Sequence, residues 1–245
     1  MAGHRGGYYH HYPESSFSLF DFLANQFKGD TIIIEIDLRT SKDGSIWLLH
    51  DETLDRTTSG LGKINERTDA ELKSLKLKTK VGFNSNESIP TFEEALNFIR
   101  TRNINLMLDI KEPLHRMALE LVAKYKLESR VLVLTFKKEY TQLVAENYSQ
   151  VLLSALIETE DDFNHFKTLP HQANKRVAYI NSKTSVDLIT RLREEKILIM
   201  ADVSEDLRHS GKPLEAEAYK SKAQQQQLNI LISDFPIEAR QALKK

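Results

Sequence analysis

Short β-branched runs alternate with amphipathic helical stretches along most of this chain, and that alternation limits its fold more than any other feature. "TIIIEIDL", "INLMLDIK", "RVLVLTF", "VLLSALI", "RVAYI", "KILIMAD" and "LNILISD" read as seven strands. Between them lie helical patterns such as "TFEEALNFIRTR", "PLHRMALELVAKYK", "SVDLITRLREE" and the polar "EAEAYKSKAQQQQ". Pro113 suits a first helical turn, and Ser15 or Ser16 caps the helix that runs up to Gly29 before the first of these strands. Strands separated by helices need crossovers, and hence a parallel sheet. An eighth strand belongs immediately before His4, where only Met1 to Gly3 stand, as if that strand were largely lost. The expected fold class is therefore α/β, a (β/α)8 TIM barrel, with its chemistry at the C-terminal ends of the strands.

Residues 1–245 fit one such domain. Within it, about 38–90 reads as an insertion after the second strand. It contains an Asp43-Gly44 turn, the extended stretch "SIWLLHD", a polar run with Gly60, Gly62 and Gly82, and one short helix near "TDAELKSL".

Composition excludes several classes. Without cysteine there are no disulfides, thiolate metal sites or cysteine nucleophiles. A net charge of -1, with Lys and Arg spread along the chain, gives no basic stripe for nucleic acid. No apolar run approaches the roughly 18 residues of a membrane span. The chain fits a cytoplasmic protein, or an exported one whose signal has been removed.

Chemistry begins at once, in "MAGHRGGYYHHYPESS", where His4 and Arg5 precede the turn-forming Gly6 and Gly7. Side chains two apart share a strand face. In "TIIIEID" one face carries Ile32, Ile34 and Ile36, and the other ends in Glu35 and Asp37. In "INLMLDIK" the apolar face is Ile104, Leu106, Leu108 and Ile110, and the opposite face ends in Asp109 and Lys111. Three carboxylates converging from two strands make a hard oxygen site suited to Mg²⁺ or Ca²⁺. A salt-bridge network, with Lys111 and Arg5 neutralising the acids, is the other reading. His4 and His50 form a pair that can serve as acid and base about a reacting phosphorus.

Taken in order, "HRG", "PES", "EID", "LLHDETLDRTTSGLG", "IPTFEEAL" and "LDIK" resemble the glycerophosphodiester phosphodiesterase family. The match runs from His4 to about Lys111 and weakens afterwards, with "LTF" at 134–136 and "ISDFP" at 232–236 still in place. The resemblance implies a (β/α)8 barrel with a small insertion after the second strand. It implies catalytic roles for His4 and His50, and metal ligation by Glu35, Asp37 and Asp109. Arg5 and Lys111 would hold the phosphate, and Glu14 would support the site. The implied cofactor is a divalent metal, Ca²⁺ or Mg²⁺, and the implied partner is a small-molecule glycerophosphodiester. In such enzymes the substrate's own glycerol hydroxyl attacks phosphorus, and water then opens the cyclic phosphate to glycerol 3-phosphate.

Three positions depart from the family pattern. Asp109 stands where glutamate is usual, so the third ligand is a methylene shorter. Ser15 replaces asparagine after Pro-Glu. "LIMADVSEDLRHSG" lacks a tryptophan, and Asp202 lies where that strand ends. Tyr8, Tyr9, His10 and His11 read as first-loop residues, and His115, His165, His171 and His209 as solvent-facing. Trp47 reads as packing and Arg56 as an anchor of the insertion. A lysophospholipase D or sphingomyelinase-like enzyme would need an apolar channel, and no long apolar loop offers one. A catalytically decayed metal-binding relative is a further alternative. A glycosidase is disfavoured, because Glu35 and Asp37 share one strand and one face.

Overall fold

Strand and helix follow one another in the order the sequence predicts in the computed structural model, which describes residues 1–204 and 211–244. The first strand, β1 (Ala2–Gly3), is two residues long and leads directly into a 3-10 turn at His4–Gly6. The chain divides into two compact units, one of Gly3–Leu127 and one of Met1–Ala2 with the residues from Glu128 onward.

In the first unit, α1 (Phe17–Gln26) starts at Ser16, whose hydroxyl accepts from Leu19 N, and buries Leu19, Phe20 and Leu23. It leads into β2 (Ile32–Thr40). Antiparallel to β2 lies β3 (Ile46–Leu48), the extended stretch of the insertion, with Leu38 opposite Leu48. Gly44 supports the connecting turn at φ 86°, a conformation that costs a residue with a Cβ. The insertion continues through α2 (Asp69–Ser74), β4 (Lys76–Lys78) and β5 (Asn84–Ser88). It has a small core of its own, in which Trp47, Leu49, Leu54, Ile64, Leu72, Leu77 and Ile89 are buried together. Trp47 packs there as expected, and its Nε1 donates to Asp69 Oδ1 at 3.1 Å. After α3 (Phe92–Ile99), opened by a Thr91/Glu94 capping box, comes β6 (Ile104–Ile110), parallel to β2. α4 (His115–Lys124) closes the unit.

The second unit repeats strand and helix: β7 (Val131–Thr135), α5 (Lys138–Asn147), β8 (Leu152–Leu156), α6 (Glu160–Thr168) and β9 (Arg176–Tyr179). Then follow α7 (Val186–Glu194), β10 (Leu198–Asp202), α8 (Ala216–Gln225), β11 (Ile230–Ser233) and α9 (Pro236–Lys244). Its strands run parallel in the order β7-β8-β9-β10-β11. Val203, Tyr219, Leu231, Ala239 and Ala242 form a core beneath β11.

Three helices share one ending. Lys126, Lys196 and Gln227 follow α4, α7 and α8 with φ of 57°, 58° and 51°. In each, the next amide reaches back to the carbonyl five residues earlier: Leu127 to Val122 (3.1 Å), Ile197 to Leu192 (2.9 Å) and Leu228 to Ala223 (3.0 Å). This is the Schellman closure, built here without glycine.

Several expectations need correction. α4 begins at His115 behind Leu114 as N-cap, so Pro113 precedes the helix instead of occupying its first turn. His115 and His171 are buried, not solvent-facing, at 3% and 7% exposure. His115 falls on the stripe of α4 with Ala118, Leu119 and Val122. His171 Nε2 lies 3.1 Å from the Val151 carbonyl. His165 is half-buried on α6, and His209 lies outside the described residues.

Candidate active site

Register brings the acids together. In the parallel β2–β6 ladder Asp37 is paired with Asp109 and Glu35 with Met107. Glu35, Asp37 and Asp109 thus share one face, and each offers an oxygen within 4.8 Å of the other two. Glu35 and Asp37 are buried, at 3% and 0% exposure.

Two cations meet these three acids. Lys111 Nζ lies 2.5 Å from Asp109 Oδ2 and 3.0 Å from Asp37 Oδ1. Arg5 donates its backbone N–H to Glu35 Oε2 at 2.5 Å, and its Nε lies 4.0 Å from Asp37 Oδ2. Both Asp37 oxygens are buried and are met by these cations as ion pairs, without a well-formed hydrogen bond. Gly6 makes the bend after Arg5 possible: its φ is 80°, and a Cβ there would come within 2.8 Å of Leu19 Cδ2.

Electrostatics leave the cluster short of positive charge. Burial, then the charges of Asp37 and Asp109, push Glu35 well above the ordinary carboxylate range. Burial also raises Asp37, although Lys111 opposes it. Burial works against charge on Lys111, yet Asp37 and Asp109 hold its pKa above the ordinary value. Buried, charge-deficient oxygens in a hard, all-carboxylate set are what a divalent cation would satisfy. Lys111 and Arg5 pair with both Asp37 oxygens, but two cations against three carboxylates leave the cluster one positive charge short, so the salt-bridge reading accounts for the contacts and not for the whole charge.

His50 follows β3 and is 30% exposed at its side chain. Its Nδ1 lies 2.8 Å from Asp51 Oδ1. Burial lowers the His50 pKa, with Asp37 and Asp51 opposing. Arg56 forks onto Asp51 with Nε (2.6 Å) and Nη2 (2.9 Å). The same guanidinium forks onto Glu14, with Nη1 and Nη2 each at 3.0 Å. Glu14 is 4% exposed and also takes Lys80 Nζ at 2.8 Å and Arg5 Nη1 at 3.7 Å. Burial alone would raise Glu14, but Arg56, Lys80 and Arg5 hold it far below the ordinary range. His4 is half-buried directly after β1. Ser15 sits next to Glu14 at φ 57°, buried, its hydroxyl without a partner.

Sequence reasoning did not single out Asp51 or Lys80. Asp51 carried a signal, since it adjoins His50 in "LLHD". Lys80 carried none, because its contact with Glu14 spans 66 residues.

Three carboxylates with Lys111 and Arg5 beside them, at the C-terminal ends of the parallel strands β2 and β6, stand where a (β/α)8 fold carries its chemistry, in an all-oxygen set of the kind that suits a hard cation. The profile of the Glycerophosphoryl diester phosphodiesterase family matches residues 4–237, and the chain belongs to that family. A glycerophosphodiester phosphodiesterase of Caldanaerobacter subterraneus is 31% identical over 131 residues, 51% of this chain and 53% of that one. The chain spans about half the length of the curated relatives it matches. The crystal structure of a glycerophosphoryl diester phosphodiesterase from Parabacteroides distasonis is 29% identical with a TM-score of 0.86, covering 99% of this chain and 85% of that chain. A phosphodiesterase from Oleispira antarctica, solved with the product sn-glycerol-3-phosphate, shares the fold at 21% identity and a TM-score of 0.76, over 100% of this chain and 96% of that one.

Proposed function

We propose that the chain is a divalent-metal-dependent phosphodiesterase that hydrolyses glycerophosphodiesters to glycerol 3-phosphate and an alcohol. The observation that carries this reading is the Glu35–Asp37–Asp109 cluster, three carboxylates against the two cations Lys111 and Arg5, in a chain of this family. Glu35, Asp37 and Asp109 would hold Ca²⁺ or Mg²⁺, the ions that all-oxygen sites prefer. Such an ion, when bound, draws negative charge from the phosphate's non-bridging oxygens.

The chain's own residues supply the rest. Arg5 and Lys111 place two fixed positive charges at the cluster, where a phosphodiester anion would be oriented and its transition-state charge lowered. Asp51, held by Arg56 at a pKa of about 2, is an acceptor at neutral pH, so His50 Nδ1 carries hydrogen and Nε2 carries the lone pair. His50 is therefore suited to take the proton of the glycerol hydroxyl that attacks phosphorus. His4 would give a proton to the departing alcohol as its P–O bond breaks. Water then adds to the cyclic phosphate, with the two proton transfers reversed.

Incubation with glycerophosphocholine followed by ³¹P NMR, with Ca²⁺, Mg²⁺ or EDTA, tests the reading. Metal-dependent appearance of glycerol 3-phosphate supports it. No turnover with either ion on glycerophosphocholine, glycerophosphoethanolamine or glycerophosphoinositol counts against it.

A further inference from the structure

Four of the five N–H donors of Arg56 are spent on four carboxylate contacts, two with Asp51 and two with Glu14. These carboxylates belong to segments 37 residues apart in sequence. Asp51 follows His50, and Glu14 lies on the loop that begins with His4 and Arg5. Anchoring the insertion does not by itself explain this fork. The insertion already has its own buried core and the Asp69 group, which accepts from Ser41, Ser45 and Trp47. Nor is Glu14 a casual partner, since a carboxylate 4% exposed is costly unless its charge is met, and Arg56, Lys80 and Arg5 all meet it.

We propose that Arg56 is a positioning residue: by clamping Asp51 to Glu14 it fixes the tautomer and ring direction of His50 and ties that ring to the loop bearing His4 and Arg5. The catalytic half of this statement rests on the phosphodiesterase reading above. Asp51 can hold the His50 Nδ1–H only while its own oxygens are fixed, and Arg56 fixes both of them. Lysine cannot replace the guanidinium, because one ammonium has no planar fork to span two carboxylates.

The test uses the full chain with ¹⁵N-labelled histidine. Long-range ¹⁵N–¹H spectra report the tautomer of His50 in the wild type, in Arg56→Lys and in Asp51→Ala, with His50→Gln assigning the signal. Wild type is expected to show hydrogen on Nδ1. Both test variants are expected to move it largely to Nε2. With saturating divalent metal, Arg56→Lys should lose about 100-fold in kcat while KM stays within about threefold. An unchanged tautomer in Arg56→Lys overturns the proposal, and so does a kcat loss that only tracks a loss of folded protein. If Arg56→Lys does not fold, Asp51→Ala decides, because it leaves the fork on Glu14 in place; an unchanged tautomer there is fatal. Should the wild type turn over no glycerophosphodiester, the functional reading falls, whereas the spectra still decide the clamp.

Discussion

Asp37 and Asp109 stand side by side on one rung of the β2–β6 ladder, and Lys111 Nζ lies 3.0 Å from the first and 2.5 Å from the second. One ammonium therefore serves two acids, and the more buried of them has ion pairs but no well-formed hydrogen bond on either oxygen. Such an arrangement costs stability unless a cation completes it. In EDTA, Asp37→Asn should raise the melting temperature, by the equivalent of about 1 kcal/mol. With metal, the same variant should lose at least about 100-fold in kcat. Thermal unfolding and the ³¹P assay read the two effects. A variant that is less stable without metal and equally active with it would show that Asp37 is a structural acid.

Metal binding should itself stabilise the fold. An ion that binds the native cluster and not the unfolded chain adds about 2.7 kcal/mol at a hundredfold excess over Kd. Ca²⁺ or Mg²⁺ should thus raise the melting temperature in a concentration-dependent way, and EDTA should reverse it. Asp109→Glu restores the longer side chain at the third position and should tighten the ion severalfold by calorimetry. Weaker binding in that variant would mean that the short side chain suits the space Lys111 leaves.

The strand-end acids were legible because strand periodicity is strict: once "TIIIEID" and "INLMLDIK" are strands, Glu35 and Asp37 share one face of theirs and Asp109 lies opposite the apolar face of its own, and the β2–β6 register then sets Asp37 beside Asp109. His115 was misread as solvent-facing, although helical periodicity carried the signal that it is buried. It precedes Ala118, Leu119 and Val122 at the spacing of one helical face, and its polarity concealed the pattern. The Arg56 fork was not legible as a link. Its bond to Asp51 spans five residues, but its bond to Glu14 spans 42 and exists only once the insertion has folded back on the first loop. His171 is buried by a tertiary contact with the Val151 carbonyl that no local pattern announces.

Burial holds the His115 pKa down at about 4, against the pull of Asp109. Below the ordinary value of 6.5 the unfolded chain takes up a proton that the native state refuses until about pH 4. Stability from this group is therefore complete above pH 6.5 and is lost as pH falls toward 4, at most about 3 kcal/mol. Urea titrations between pH 7.5 and 4.5, at saturating metal, should show the decline in the wild type. His115→Gln should flatten it by a comparable amount. Parallel curves for the two proteins would mean that His115 is as easily protonated in the native state as in the unfolded chain.

Lys126, Lys196 and Gln227 each occupy the left-handed position that closes a Schellman motif, a conformation that costs a residue with a Cβ about 1 kcal/mol. Each precedes an apolar residue, Leu127, Ile197 or Leu228, whose amide completes the closure. Glycine removes the steric cost but is freer when unfolded, so the net gain per site should be about 0.5 kcal/mol. The sites follow different helices and should add. Lys126→Gly, Lys196→Gly and Gln227→Gly together should raise the melting temperature by about 3–6 °C, with kcat unchanged because none touches the acids or histidines of the site. A triple variant no more stable than the wild type would show that the left-handed residues hold their helix ends at no steric cost.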